Sequence, residues 1–478
     1  MLQISKRSNR KYMEDETMER TNVYGSASIP KLLAKTCIPA VITTLVITLY
    51  HIADVFFIGQ TGDAMQVAAI TLSGPVFSVL SGLATLIGSG GCAAIAIALG
   101  KKDKARVKSI SSFCCFAALG IGAAFAIGIN LGMPAILQLL NVSSETSAYA
   151  GGYLRITSIG YPLIMFSSVF ANVVRGEGAI KESMLGNGIG SIVNIALDPI
   201  FILGFGMGIT GAAVVTVIAN TLSSAYLIYF ALSKKSMLSL SIKQFTLKGG
   251  IARQALLLGL PTALGVAIMS VSGVVSNHVI GSYGEFAVAA SGVSGKLGML
   301  IAMVQIGICM GIQPALAYNY GAGNLPKLHR IIKYTAFLTV AVGSVLSLTG
   351  WMMRGSFLSA FLNNPEVISF GEVFIVAGIL TGPISGICYL CTSVLQATER
   401  ITWATVNALL RQGILSIPLL LILNAWVGLA GIAAAGVAVD AIAAAAGAVI
   451  CIWQLRKLAP SAGPAQQEVR AASLANAS

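Results

Sequence analysis

Apolar runs of about twenty residues or more recur from residue 34 to residue 455, with only short polar breaks between them. Each is long enough to cross ~30 Å of hydrocarbon as a helix. In lipid, a spanning segment must satisfy its backbone groups internally, which leaves helices or closed barrels. Runs this long and this uniformly apolar predict helices. Twelve are expected, at 34–58, 66–98, 109–132, 148–174, 183–205, 208–231, 252–280, 286–317, 330–352, 368–395, 403–425 and 428–455. Charged residues make up 10% of the chain, against about 25% for a soluble protein. The fold class is therefore an all-α, polytopic membrane protein.

The net charge of +13 would suit a nucleic-acid partner if it were clustered on a soluble domain, but its placement argues otherwise. Lys101, Lys102, Lys104, Arg106 and Lys108 follow the second span; Lys234, Lys235, Lys243, Lys248 and Arg253 surround the connection after the sixth. Lys327, Arg330 and Lys333 follow the eighth, and Arg456 and Lys457 the twelfth. Connections after odd-numbered spans hold little besides Asp63, Glu145, Glu285, Glu366 and Arg354. That alternation is the positive-inside pattern; it predicts cytoplasmic termini, an even number of spans and no nucleic-acid partner. Residues 1–30 are polar and mixed in charge, so no cleavable signal peptide is expected. Residues 458–478, rich in Ala, Ser and Gln, read as a disordered tail. All eight cysteines fall inside expected spans, and the Cys388/Cys391 pair reads as helix packing because it lacks a second ligand pair.

The chain repeats itself at an offset of about 220 residues. "IPAVITT" from Ile38 parallels "LPTALGV" from Leu260, aligning Pro39 with Pro261, and Gly100 aligns with Gly321 ahead of two basic connections. "GYPLIMF" around Pro162 parallels "TGPISGI" around Pro383, and "GITGAAVVTVIA" from Gly208 parallels "GLAGIAAAGVAV" from Gly428. Six helices per repeat give both halves the same orientation, so the halves are related by an axis along the membrane normal. The expected layout is an N-terminal lobe over 31–232, a linker over 233–251 and a C-terminal lobe over 252–457, forming two pseudo-symmetric six-helix bundles around a central cleft. Such a duplication suits a transporter that rocks one half against the other. No GxxxxGK[ST] motif is present, so an ion gradient is the expected energy source.

Two carboxylates lie deep in apolar spans: Asp54 in the first and Asp198 in the fifth. An ionised carboxylate there costs roughly 2.5–3.5 kcal/mol or more, which makes each a candidate ion or proton site. Both spans run outward in the expected topology, placing the pair at similar depth, roughly 6–10 Å below the outer surface. Asn194 precedes Asp198 by one helical turn and projects from the same face. Pro199 cannot donate an N–H, which leaves a backbone carbonyl free nearby, and Thr216 on the sixth span offers a hydroxyl. Two carboxylates, an amide and a hydroxyl make an oxygen-rich site for a proton or for Na⁺ at Asp54, Asn194, Asp198 and Thr216. If the carboxylates meet, the pair titrates as a unit. The competing reading gives Asp54 and Asp198 only local hydrogen bonds within the bundle.

These features resemble the multidrug and toxic compound extrusion (MATE) family over almost the whole chain. The matching residues are "IADVFFIG" around Asp54, "NIALDP" from Asn194 to Pro199, and "GICMGIQPALAYNYGAGN" from Gly307 to Asn324. The last is the most specific, with Gln313, Pro314, Tyr318, Asn319, Tyr320 and Gly321 matching the family's eighth-span ending. In the prokaryotic branch, the resemblance implies a proton or sodium site in the N-terminal lobe. Carried over by position, that site comprises Asp54, Tyr153, Asn194, Asp198 and Thr216, with Pro39 and Pro199 as bending points. A second branch carries acids in the seventh and tenth spans; here the corresponding stretches lack them, with Met269 and Ser270 in the seventh. The look is closest to efflux pumps of Gram-positive bacteria.

The resemblance implies an antiporter of the plasma membrane exporting amphipathic, often cationic, drug-like compounds, monomeric and without a resident cofactor. Met269, Met299 and Met303, with Asp440 on the twelfth span, are candidate residues of the substrate surface, since flexible thioethers suit varied shapes. Asp440 could instead balance Lys296 or Arg411, while Arg155 and Lys296 could neutralise a carboxylate or reach to the interface. A lipid-linked precursor flippase of the same superfamily is the alternative, and it would need basic residues in the cleft for phosphates. An enzyme is not expected, because no nucleophile or His/Asp cluster appears. A receptor fits poorly with twelve duplicated spans and no ectodomain.

Overall fold

The computed structural model describes residues 24–361 and 365–458. The tail expectations for residues 1–23 and 459–478 lie outside the described residues. Among the described residues, twelve helices are long and apolar enough to cross a membrane, as the hydropathy pattern predicts. In chain order they are α1 (Ile29–Gly59), α2 (Ala64–Gly100), α3 (Lys104–Leu131), α4 (Ser144–Gly176), α5 (Ile180–Gly204) and α6 (Gly208–Leu232). The second half continues with α7 (Ile251–Gly281), α8 (Glu285–Gly321), α9 (Leu325–Phe361), α10 (Pro365–Ala397), α11 (Ile401–Val427) and α12 (Leu429–Arg456). No strand occurs among the described residues. Most helices extend a few residues past the apolar runs, because backbone bonding continues through the polar first and last turns.

Local chemistry sets the ends. The Ser143 hydroxyl accepts from the Thr146 N–H to start α4, and the Asn324 side chain accepts from the Lys327 N–H to start α9. Gly428, at φ +67°, turns the chain directly from α11 into α12 in a conformation that favours glycine. Among the described residues, two helices carry a π turn: Pro199–Gly204 closes α5, and Leu410–Ile414 lies within α11. In α5 the cause is legible, since Pro199 supplies no N–H to the preceding turn.

The chain divides into two compact units whose boundaries fall inside helices. The first unit takes in 38–95 and 105–267; the second takes in 22–37, 96–104 and 268 onward. In the first, α4 packs along α6 and α5 along α6. There α2 and the start of α7 approach so closely that a Cβ on Gly90 would fall 1.7 Å from the Ala255 carbonyl oxygen. A Cβ on Gly259 would likewise fall 1.7 Å from the Leu86 carbonyl oxygen, so only glycine fits either position. In the second, α10 packs along α8, α9 and α12. Gly100 and Gly321 meet in that unit as well, each facing the other helix's backbone at 2.2–2.3 Å from a built Cβ.

Two stretches without strong hydropathy are nevertheless well tied. The segment after α6 lies on the start of α3: Ser112 donates to the Ser241 carbonyl at 2.8 Å, and the Ser239 N–H donates to the Ser111 hydroxyl at 2.9 Å. Phe245 stacks against Phe113, and the Glu177 carboxylate accepts from the Ser236 hydroxyl and the Met237 N–H. Ahead of α1, Tyr24 is fully buried, and its carbonyl accepts from the Asn319 side chain at 3.0 Å.

Candidate ion-coupling site

The first unit brings Asp54, Asn194 and Asp198 together. Asp54 reaches inward from α1 and Asp198 from the last α-helical turn of α5 before the π segment; both are buried, Asp198 completely. With its side-chain amide turned so that nitrogen faces the two acceptors, Asn194 donates to Asp54 Oδ1 at 2.9 Å and to Asp198 Oδ2 at 3.1 Å. One amide therefore bridges two carboxylates, and the i, i+4 spacing of Asn194 and Asp198 is what lets one helix present both. The two carboxyl groups also lie within hydrogen-bonding reach of each other. Asp198 Oδ1 is buried and receives no hydrogen bond from the described residues.

Two acceptors in reach of each other, with an orphaned oxygen between protein walls, fit a shared proton or a small hard cation. Either would supply the positive charge that a single neutral amide cannot. All available donors to such an ion are oxygens, the set that suits H⁺ or Na⁺ rather than a soft transition metal. Among the described residues, no group of three or more His, Cys, Asp or Glu could hold a metal ion.

The other expected members sit nearby to different degrees. The Tyr153 ring is buried on α4, 5.7 Å from the Phe77 ring, and its phenol lies in the electrostatic reach of both carboxylates. Thr216 is buried on α6, where its carbonyl accepts from the Asn220 side chain at 2.9 Å. Among the described residues, the side chain seen to donate to the carboxylates is that of Asn194. Tyr50 escaped the sequence reading: it lies one turn before Asp54, and its phenol is likewise in reach of both acids. The i, i+4 spacing from Asp54 was the available signal. Pro39 is half-buried within α1, where Thr43 donates to its carbonyl at 2.8 Å, and α1 runs through it as one helix.

The second unit holds a different charge arrangement. Asp440, buried on α12, accepts from Arg411 at 2.7 Å (Nε) and 3.2 Å (Nη2), a two-pronged pair. Arg411 lies within the π turn of α11, its guanidinium 4.3 Å over the Tyr389 ring. Of the two partners expected for Asp440, Arg411 is the one engaged. Met269 and Met299 are exposed and Met303 half-buried, while Lys296 and Arg155 are exposed.

Comparison with known proteins accords with this architecture. The MatE family model matches twice, over residues 39–200 and 261–422. The two matches begin at the aligned prolines Pro39 and Pro261. The multidrug export protein MepA of Staphylococcus saprophyticus is 30% identical over 438 residues, spanning 92% of this chain and 96% of that protein. The multidrug export protein MepA of Staphylococcus aureus is 29% identical over 442 residues, with the same coverage. A solved structure described as the outward-facing conformation of a multidrug resistance MATE family transporter of the MOP superfamily superposes with a TM-score of 0.86. It is 22% identical and covers 91% of this chain and 98% of that one. The chain belongs to the MATE family of membrane transporters, with the family's all-α, twelve-helix fold.

Proposed function

We propose that this protein is a gradient-driven antiporter in which H⁺ or Na⁺ entering at Asp54 and Asp198 drives export of amphipathic, often cationic, drug-like compounds. The observation that carries this reading is the Asn194 amide bridging two buried carboxylates. Emptied of its ion, the pair holds two negative charges in a low-dielectric bundle; loaded, one of them is cancelled and the repulsion between them is relieved. That difference is a free-energy lever on α1 and α5, the helices bearing the two acids, with Pro39 and Pro199 as the places where they bend. Tyr153 and Thr216 line the same lobe and complete its polar wall. Similarity to the staphylococcal MepA export proteins supports the substrate class.

In this reading, the repeats over 31–232 and 252–457 are the two lobes of an alternating-access cycle. The protein acts as a monomer in the plasma membrane, with both termini cytoplasmic and Met269, Met299 and Met303 on the substrate surface. Asp440 serves as the counter-ion of Arg411. That pairing also disfavours a phosphate-carrying flippase, since Arg411 is already neutralised by its neighbour. The test is ethidium or norfloxacin transport in everted vesicles under an imposed pH or Na⁺ gradient. Transport driven by at least one gradient, and lost when that gradient is collapsed, is the expected result. Transport indifferent to both gradients would end the proposal.

A further inference from the structure

At one end of the second unit, a groove of about 850 Å³ lies between the start of α1 and the start of α9. Its walls include Pro30, Lys327, Arg330, Lys333, Tyr334 and Phe337, and none of the described residues lining it is acidic. On α9 the last five recur at spacings of three, three, one and three residues, which places them along one helix face. Lys327 closes the base of the groove by donating to the Gly25 and Ala27 carbonyls at 2.7 and 3.1 Å. Arg330 and Lys333 are exposed beside it. Two long helices also begin at this groove, α1 and α9, and their N-terminal N–H groups and dipoles favour an anion.

The order of residues along α9 is informative. The cations come first, at the end of the helix that the basic connections share, and the aromatic rings follow. Arg330 to Phe337 is seven residues, or roughly 10 Å along the axis. Tyr334 is 49% and Phe337 75% exposed, so both rings offer uncovered faces toward the apolar depth of the span. A free soluble anion would use the cations and leave the rings idle. An amphiphile with an anionic head and acyl chains uses both, head at Arg330 and Lys333, chains along Tyr334 and Phe337. Basic pockets between spanning helices are a recognised way of holding such headgroups. We propose that this groove binds the phosphate headgroup of an anionic glycerophospholipid.

The test uses the full-length protein, stripped of lipid in detergent and titrated with phosphatidylglycerol or phosphatidylcholine while bound lipid is read by native mass spectrometry. Phosphatidylglycerol is expected to bind in preference to phosphatidylcholine. Arg330→Ala/Lys333→Ala should weaken phosphatidylglycerol binding by about 30-fold, at about a factor of five for each interfacial cation. The charge-retaining Arg330→Lys/Lys333→Arg should bind within threefold of the parent, which separates lost charge from lost folding. Equal phosphatidylglycerol binding by the double alanine variant would overturn the proposal. Displacement of the lipid by equimolar glycerol phosphate would also overturn it, by making a free phosphate ester the ligand.

Discussion

Replacing either bridged carboxylate should silence ion coupling without unfolding the protein, and the size of the loss follows from the Asn194 geometry. Asn194 sits 2.9 Å from an Asp54 oxygen and 3.1 Å from an Asp198 oxygen, so those two oxygens are at most about 6 Å apart, the sum of the two bonds. At that separation and an effective dielectric constant of about 20, two like charges repel by at least about 3 kcal/mol. In the proposed cycle, this is the energy that ion binding would cancel and ion release would restore. Asp198→Asn removes one charge, and with it that difference between loaded and empty states, equivalent to about 100-fold in their ratio. Gradient-driven ethidium efflux in everted vesicles should therefore fall by about two orders of magnitude, and Asp54→Asn should do the same. Because the residues act as one unit, Asp54→Asn/Asp198→Asn should be no worse than either single change. Thermal unfolding in detergent should be unchanged or shifted upward, since each change removes a buried charge. Losses that multiply in the double variant, to about 10⁴-fold, would refute the idea of a shared site. Full efflux by either single variant would refute it outright.

Two further outcomes follow from the packing. Arg411→Met strands the buried Asp440 carboxylate and should cost about 3–5 kcal/mol of stability, read as a large drop in the detergent unfolding temperature, with Arg411→Met/Asp440→Leu recovering most of it. Gly259→Ala drives a methyl group into the Leu86 carbonyl and should destabilise by at least about 1–3 kcal/mol, whereas Gly273→Ala on the same helix, with nothing within 4 Å of its Cβ, should be nearly neutral; parallel melting curves decide it.

Sequence reasoning reached different parts of this molecule unequally. The twelve helices were legible because lipid leaves so few backbone solutions, and the duplication because paired prolines and glycines recur at a steady offset. The acids were legible for a related reason: a carboxylate among leucines and alanines is rare enough to stand out. Asn194 followed from Asp198 by helical periodicity alone. That one amide would span both acids was not legible, since it depends on how α1 meets α5 in space. Tyr50 was hidden because a tyrosine in a span resembles interfacial filling, and only its turn relative to Asp54 marks it. The π turn at Leu410–Ile414 has no proline to announce it. The polar stretch before α1 reads as tail, yet Tyr24 is buried through a contact with Asn319 almost three hundred residues away.

The Arg411–Asp440 pair makes the duplicated halves electrically unlike. Within the second repeat, a guanidinium cancels its carboxylate, so that half carries no net buried charge there. Within the first, the side chain that bridges Asp54 and Asp198 is a neutral amide, so the proposed site would be more anionic when emptied than when ion-filled. A voltage across the bilayer acts on charge at about 2.3 kcal/mol per elementary charge per 100 mV. In the proposed antiport cycle, membrane potential would thus act on the acidic pair of the first repeat and not on the neutralised pair of the second, and most strongly on the emptied site, which carries the larger charge.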